Sequence, residues 1–432
     1  MDYQQSRAYV KDADQYAGGA LDLTNIKELM KRLGDPQNQL KYVHVAGTNG
    51  KGSVIAYLYT TLSEAGYRVG RYISPSVYSY REKMEVAGRA VSREQFAGYV
   101  TRVAAAIEEM TAEGLAHPTP FEIETAVAFL FFSEEKCDLV VLEVGMGGNL
   151  DATNIIKNTV LAVLVPISMD HQSFLGNTLA EIAEKKAGII KPGCSVVTVG
   201  QKLEALKVIK EVCRENSAEL TVADLELAKA VKEDFAGQIL EYKGETYELS
   251  LAGSYQTENA ALAIEALNIL DKKGYPTTIE QRKKGLKDTK WNGRLTIIHR
   301  NPLFIVDGAH NPAAADMLED SVRKYFKGRR MFFIMGVFRD KDYHYIIRKL
   351  CPYAEQIVTV ETPDNPRALP ADELAEAIRL CNPHVQAAES IQDAVDKVFA
   401  MAGSEDVILS FGSLSFIGEI TTSVKTQEEK DS

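Results

Sequence analysis

Several groups of residues in this sequence have the types and spacing to do chemistry. Val43-His44-Val45-Ala46-Gly47-Thr48-Asn49-Gly50-Lys51-Gly52-Ser53 is a short apolar run opening into a glycine-rich turn with one lysine and one serine. Val54, Ile55, Tyr57, Leu58 and Leu62 follow as one amphipathic segment. Strand, glycine turn and helix N-terminus together make a phosphate cradle. Glycine lets backbone N–H groups converge on an anion, and the helix dipole adds positive potential there. Lys51 would neutralise terminal phosphate oxygens, while Ser53 would face them or a magnesium ion. The spacing departs from G-x-x-x-x-G-K-[ST]: Gly52 follows Lys51, and Val45 stands where the first glycine belongs. A plain glycine turn is therefore the competing reading, and the strand before and helix after it favour phosphate.

Glu143 closes an apolar strand, where it is either a solvated strand end or half of a cation site. With His171, at the end of the next strand, it offers one carboxylate and one imidazole, and nucleotide phosphates would supply the remaining ligands. Lys185-Lys186-Ala187-Gly188-Ile189-Ile190-Lys191 follows an acidic helix, and by itself reads as lysines placed at a helix C-terminus by the dipole. Asp307-Gly308-Ala309-His310-Asn311-Pro312 ends a strand and starts a helix. Asn311 as N-cap and Pro312 at the first helical position account for initiation, but capping requires neither Asp307 nor His310.

The elements that must position these residues alternate strand and helix. Leu139–Val144 and Val160–Val165 are continuous apolar runs of the kind buried in parallel sheets, and each ends in a polar or glycine-rich turn. Such alternation predicts a doubly wound α/β sheet with ligands beyond the carboxyl ends of its strands, where Lys51, Ser74, Glu143 and His171 all fall. Ahead of it, Leu21, Leu23, Ile26, Leu29, Met30 and Leu33 carry helical spacing up to Gly34-Asp35-Pro36. From Thr198 to Leu251 the pattern turns β-like and charged, predicting an antiparallel sheet packed on the first. Beyond Trp291-Asn292-Gly293-Arg294 strand–helix alternation restarts as a second, smaller α/β domain. The expected division is 1–293 and 294–432, with a disordered tail over 426–432.

At 432 residues two domains are the default. A hydrophobic content of 45%, a charged content of 25% and a net charge of −11 fit a globular enzyme and argue against a general nucleic-acid or anionic-membrane binder. The five cysteines never approach a CxxC pair, so reduced thiols in a cytoplasmic protein are expected. The N-terminus lacks a basic and apolar leader pattern, and no apolar run approaches the ~18 residues of a membrane span.

On these residues the chain resembles the folylpolyglutamate synthase/dihydrofolate synthase family of the Mur ligase superfamily. The resemblance runs nearly end to end. It rests on Gly47–Ser53, which is the family's own loop variant, Ser74-Pro75, Thr119-x-Phe121-Glu122, Glu143-Val144-Gly145-Met146-Gly147-Gly148, Leu150-Asp151-Ala152-Thr153-Asn154 and Met169-Asp170-His171. It continues through Lys186-Ala187-Gly188-Ile189-Ile190, Asn259, Trp291-x-Gly293-Arg294, Asp307–Pro312, Asp340-Lys341-Asp342 and Gly412-Ser413-Leu414.

The resemblance implies a P-loop-type, mostly parallel ATP-binding domain followed by a Rossmann-like glutamate-ligase domain. Gly47, Thr48, Asn49, Gly50, Lys51, Gly52 and Ser53 would hold the ATP phosphates. Asn259, Arg294 and Asp307 would contact the nucleotide, the last two from across the domain interface. Ser74, Glu143 and His171 would bind Mg2+, with Lys186 as a further ligand once CO2 has converted it to a carbamate. Lys51, Lys186, Asp307 and His310 would be catalytic, His310 lying near the transferred phosphate. Thr119, Phe121, Glu122, Leu150, Asp151 and Ala152 would hold the pterin-bearing substrate. The implied reaction joins L-glutamate to dihydropteroate or a reduced folate through an acyl phosphate, in a cytoplasmic monomer without nucleic-acid or membrane partners.

Two family residues are replaced, a histidine by Ser76 and an arginine by Asn149, both on the substrate side. The competing readings are another amide ligase of the superfamily and a nucleotide-binding regulator without turnover. A cell-wall Mur ligase carries an extra domain ahead of the phosphate loop, for which the 46 residues before Gly47 are too few. A regulator would not need Glu143, His171, Lys186, Asp307 and His310 together.

Overall fold

The computed structural model describes residues 1–16, 22–235, 237–363 and 365–431, without the side chains of 173 and 428–431; Leu21 of the helical pattern and Ser432 of the tail lie outside. The chain forms two compact units, one of Met1–Ser74, Arg81–Ala228 and Glu258–Thr289, the other of Pro75–Tyr80, Lys229–Thr257 and Lys290–Ser432.

In the first unit, β1 (Tyr42–Ala46), β2 (Val69–Tyr72), β3 (Met84–Val86), β4 (Arg89–Ala90), β5 (Leu139–Glu143), β6 (Thr159–Leu164), β7 (Ser195–Thr198) and β8 (Glu219–Val222) form one sheet. Their order is β4-β3-β2-β5-β1-β6-β7-β8. β1 lies between β5 and β6 and is parallel to both, with Val45 opposite Glu143 and Ala46 opposite Leu164. Every residue of β1 and β5 is buried, as expected of a sheet covered on both faces. This register brings the carboxyl ends of β1, β5 and β6 level, and with them the loops bearing Gly47–Ser53, Glu143 and His171. The expected doubly wound sheet is present.

The antiparallel reading of 198–251 is corrected. β7, the helix Leu203–Glu215 and β8 extend the first sheet in parallel, and only β9 (Lys229–Asp234), β10 (Gly237–Tyr242) and β11 (Glu245–Leu249) form an antiparallel meander. That meander packs within the second unit: Phe235 meets the Tyr325 and Phe326 rings, and Glu233 accepts from the Tyr325 hydroxyl at 2.7 Å and pairs with Lys324. Its alternating, charge-rich pattern carries no information about which domain it covers.

The second unit's main sheet comprises β12 (Thr296–Arg300), β13 (Leu303–Val306), β14 (Met331–Met335), β15 (Gln356–Thr359), β16 (Val385–Ala387) and β17 (Val407–Phe411). The order is β12-β13-β17-β14-β15-β16, and all pairings except β12–β13 are parallel. The disorder expected over 426–432 is also corrected through residue 431, because the terminal helix Ile417–Asp431 continues there, anchored by buried Ile417, Ile420 and Val424.

Candidate active site

The phosphate loop leaves β1 at Gly47 and enters the helix Lys51–Glu64 through Gly50. Two glycines in it leave no free room for a side chain. At Gly47 (φ +142°) a Cβ would stand 2.2 Å from Val165 Cγ2, and at left-handed Gly50 (φ +98°) it would stand 2.5 Å from Asn259 Oδ1. Asn259, buried on the helix Gln256–Lys272, thus lies against the loop. Thr48 locks the loop to the segment after β6. Its N–H donates to Pro166 O at 2.9 Å, and its hydroxyl both donates to Ser168 O and accepts from Ser168 N. Ser53 is buried in the first helical turn.

Lys51 Nζ donates to Thr48 O at 3.3 Å and lies 3.9 Å from Glu143 Oε1. Glu143 is 5% exposed, and its other oxygen accepts from Ser74 N at 3.2 Å. Lys51, Glu143 and Ser74 are therefore brought together at one sheet end. His171 starts the short helix Gln172–Leu175 from a left-handed backbone (φ +49°), held by its N–H donating to Asp170 Oδ1 at 2.9 Å. Left-handed geometry costs a non-glycine residue about 1–2 kcal/mol. Among the described residues no three His, Cys, Asp or Glu side chains converge as a metal group.

Lys186 ends the helix Leu179–Ala187, is 5% exposed, and its Nζ donates to Gly47 O at 2.8 Å. Burial, reinforced by the nearby Lys51 charge, pushes its pKa down to about 7. The lysines do stand in the last helical turn as expected, but Lys186 is not a solvated charge, since its buried amine reaches into the phosphate loop.

The turn after β5 is pressed onto this same helix. A Cβ on Gly148 would stand 2.7 Å from Lys185 O, and Asn149 N donates to that carbonyl at 2.8 Å. The Asn154 amide donates to both Asn149 O and Gly188 O at 3.0 Å, clasping turn to helix end. Buried Asp151 accepts from Met146 N at 2.8 Å, Thr153 N at 3.0 Å and Thr153 Oγ1 at 2.5 Å, while burial raises its pKa. Leu150 projects at the turn's exposed tip, and Ala152 is buried beneath it. Phe121 packs where a Cβ on Gly145 would stand, 2.6 Å from its Cζ, so Phe121 touches the turn directly. Thr119 and Glu122 form a capping box for the helix Pro120–Glu134, with Glu122 Oε2 accepting from Thr119 N at 2.8 Å and Thr119 Oγ1 at 2.9 Å. In the sequence, the signal for Thr153 and Asn154 is a polar pair just beyond a glycine-rich turn.

In the second unit, Asp307 directly follows β13 and is 3% exposed. Its two oxygens accept from Leu295 N at 2.9 Å and Ala309 N at 2.8 Å. Burial raises its pKa, and Arg294 opposes the rise. A Cβ on Gly308 would stand 2.2 Å from Arg294 Nη1, so Arg294 and the Asp307 turn are packed together. His310 Nδ1 lies 2.8 Å from Gly308 O, and Asn311 caps the helix Pro312–Tyr325 through Ala314 N.

Known proteins resemble this chain in sequence and in fold over nearly its whole length. Residues 45–267 match the Mur ligase middle domain and 293–414 the Mur ligase glutamate ligase domain. The chain is 35% identical to the dihydrofolate synthase/folylpolyglutamate synthase of Bacillus subtilis, over 98% of this chain and 99% of that protein. It is 33% identical to the folylpolyglutamate synthase of Lacticaseibacillus casei, over 94% and 96%. Among solved structures, the Mycobacterium tuberculosis folylpolyglutamate synthase complexed with ADP and AMPPCP superposes with a TM-score of 0.86 at 30% identity, covering 99% of both chains. E. coli FolC in complex with DHPP and ADP gives a TM-score of 0.85 at 27% identity, covering 98% of both. A glycine loop flanked by two lysines and a buried glutamate, on a chain matching both ligase domains, has one consistent assignment: the chain belongs to the folylpolyglutamate synthase/dihydrofolate synthase family of the Mur ligases and is an ATP-dependent ligase.

Proposed function

We propose that this enzyme joins the α-amine of L-glutamate to the carboxyl group of dihydropteroate or a reduced folate, through an acyl phosphate. The observation that carries the reading is the meeting of Lys51, Lys186 and Glu143 around the Gly47 turn. A carboxylate is a poor acyl donor because its oxygen leaves badly. Its attack on the γ-phosphorus of ATP breaks the bridging P–O bond, releases ADP and makes phosphate the leaving group. The glutamate amine then attacks the carbonyl carbon, the amide forms, and phosphate departs with loss of the amine proton.

Gly47–Ser53 and Asn259 hold the nucleotide, and Lys51 offsets charge on the phosphoryl group in transfer. Arg294 and Asp307 bind nucleotide, and His310 serves the transferred phosphate. Residues 1–293 carry the ATP chemistry and 294–432 the glutamate chemistry. Thr119, Phe121, Glu122 and Leu150–Ala152 hold the pterin-bearing acid. Phe121 packed against Gly145 supports treating those two segments as one surface.

The donor set fits a hard cation: Glu143 gives an anionic oxygen, Ser74 a hydroxyl and His171 an imidazole. Bound there, Mg2+ supplies charge neutralisation to the phosphates. Lys186 is suited to carbamate formation, because burial and the nearby Lys51 charge favour its neutral amine. The neutral nitrogen adds to CO2, an N–C bond forms, and one proton leaves to solvent, converting a buried cation into a carboxylate-like ligand. The enzyme acts as a cytoplasmic monomer. No helix among the described residues is long and apolar enough to cross a membrane.

The test supplies ATP, Mg2+ and L-glutamate with dihydropteroate, tetrahydrofolate or a UDP-sugar peptide, and reads phosphate release and product mass. Glutamylated pteroate or folate is the expected product. No pterin-dependent turnover, with ligation of another carboxylic acid, would overturn the proposal.

A further inference from the structure

His44 sits in the middle of β1, flanked by Val43 and Val45, fully buried on the strand that ends in the phosphate loop. Its Nε2 lies 2.9 Å from Thr153 Oγ1, and Thr153 Oγ1 lies 2.5 Å from Asp151 Oδ1. The proton inventory fixes the direction of this chain. Thr153 has one hydroxyl proton, which goes to the acceptor-only carboxylate, so its oxygen accepts from a protonated His44 Nε2. Burial, with the Lys191 charge nearby, keeps the ring neutral, its pKa pushed down to about 3. Nδ1 is then bare, and it is buried with no hydrogen-bond partner among the described residues.

An orphaned acceptor inside a central strand is a standing cost that an apolar residue would avoid. Packing therefore does not account for a histidine at this position. What the ring gains for that cost is one donated hydrogen bond, and its whole effect passes through Thr153 to Asp151. Asp151 in turn accepts from Met146 N at 2.8 Å, and so sets the shape of the 145–151 turn. The same turn is clasped from its other side by Asn154, bonded to Asn149 O and Gly188 O.

We propose that His44 is a positioning residue for the carboxylic-acid substrate. From the strand that bears the phosphate loop it holds the 145–151 turn through the relay His44 Nε2–H to Thr153 Oγ1–H to Asp151. The inference rests on the reading, made above, that this turn holds the pterin-bearing acid. It ties substrate affinity to a residue that touches neither substrate nor nucleotide.

The test measures equilibrium binding of dihydropteroate and of AMPPCP, separately, to the full-length protein and to His44→Leu, His44→Gln, Thr153→Val and Leu150→Asp, with melting temperatures alongside. His44→Leu removes both the relay donor and the orphaned acceptor. It is expected to melt at or above the wild-type temperature while binding dihydropteroate about tenfold more weakly and AMPPCP unchanged. Thr153→Val should weaken pteroate binding similarly. His44→Gln, which keeps a donor, should recover most of the loss. If His44→Leu folds and binds both ligands as the wild type does, while Leu150→Asp loses pteroate, the relay is refuted and the turn assignment stands. If Leu150→Asp also leaves pteroate binding unchanged, the turn assignment falls and the relay with it. Equal weakening toward both ligands would assign His44 a general structural role and overturn the proposal. Should His44→Leu fail to fold, the Gln and Val variants carry the same comparison.

Discussion

Lys186 Nζ donates to the carbonyl of Gly47 at 2.8 Å, and Lys51 Nζ approaches the same oxygen at 3.5 Å. Two lysines more than a hundred residues apart in sequence thus share one carbonyl at the neck of the phosphate loop. Their mutual repulsion adds to burial in lowering the Lys186 pKa. A second cation at this spot raises the cost of keeping Lys186 protonated. Exchanging that cation for a carbamate would turn the repulsion into attraction.

The first prediction concerns that exchange. With 13C-labelled bicarbonate the wild-type protein should show one slowly exchanging carbamate resonance, absent from Lys186→Ala. Ligase activity of Lys186→Ala should fall by about 100-fold or more, as for groups that organise metal and transition-state charge. Acetate or formate should restore part of it by placing a carboxylate in the vacated volume. A wild-type protein with unmodified lysine, together with a fully active Lys186→Ala, would remove the role.

A second prediction follows from the same pKa, in CO2-free buffer. Lys186 has a folded-state pKa of about 7 against the ordinary lysine value of 10.5. Between those values the unfolded chain holds a proton that the folded chain does not, so stability rises with pH by about 1.4 kcal/mol per unit from this group. Below the folded value the penalty is constant. Lys186→Met should therefore be more stable than wild type near neutrality, and the advantage should shrink from about pH 7.5 to 9. Denaturant titrations across that range check it, and parallel curves for the two proteins would count against a protonation-linked amine.

Asp307 gives a third. Each of its oxygens accepts one backbone N–H, from Leu295 and from Ala309. Asn can accept only one of these and must turn its own NH2 toward the other. Asp307→Asn should cost about 1–3 kcal/mol and lower kcat by loosening the turn that leads to His310. Since burial raises the Asp307 pKa, the folded carboxylate is disfavoured and stability should increase as pH falls through its titration. Thermal melts of Asp307→Asn that match the wild type would show that the two N–H bonds contribute nothing.

Much of this was legible in the chain because local chemistry decides it. The apolar runs at β1, β5 and β6 and the glycine turn after β1 specify a parallel sheet and its ligand end without tertiary information. Asn311-Pro312 announces its own helix. By contrast, Lys186 looks like an ordinary helix-end lysine until the turn Gly147-Gly148-Asn149 is packed against its helix and burial removes its solvent. The meander 229–249 reads correctly as antiparallel, yet nothing in its alternation says that Phe235 seeks Tyr325 and Phe326 rather than the preceding sheet. His44 was hidden as one letter in an apolar strand, because its partner Thr153 lies 109 residues away.

The last prediction separates two costs at the loop's second glycine. Gly50 and Gly34 both have left-handed backbones, with φ of +98° and +85°. At Gly34 a Cβ would meet none of the described residues within 4 Å, whereas at Gly50 it would stand 2.5 Å from Asn259 Oδ1. Gly34→Ala therefore reports backbone strain alone, about 1–2 kcal/mol, and should leave the KM for ATP unchanged. Gly50→Ala bears the same strain and must also displace Asn259, so it should cost about 1–2 kcal/mol more and raise the KM for ATP about tenfold. Asn259→Ala removes the opposing amide while keeping a helix former. In that background the added cost of Gly50→Ala should fall to that of Gly34→Ala, giving a coupling of about 1–2 kcal/mol in a double-mutant cycle. Strict additivity would mean that Asn259 does not press on the loop, and its nucleotide role would then lose its structural support.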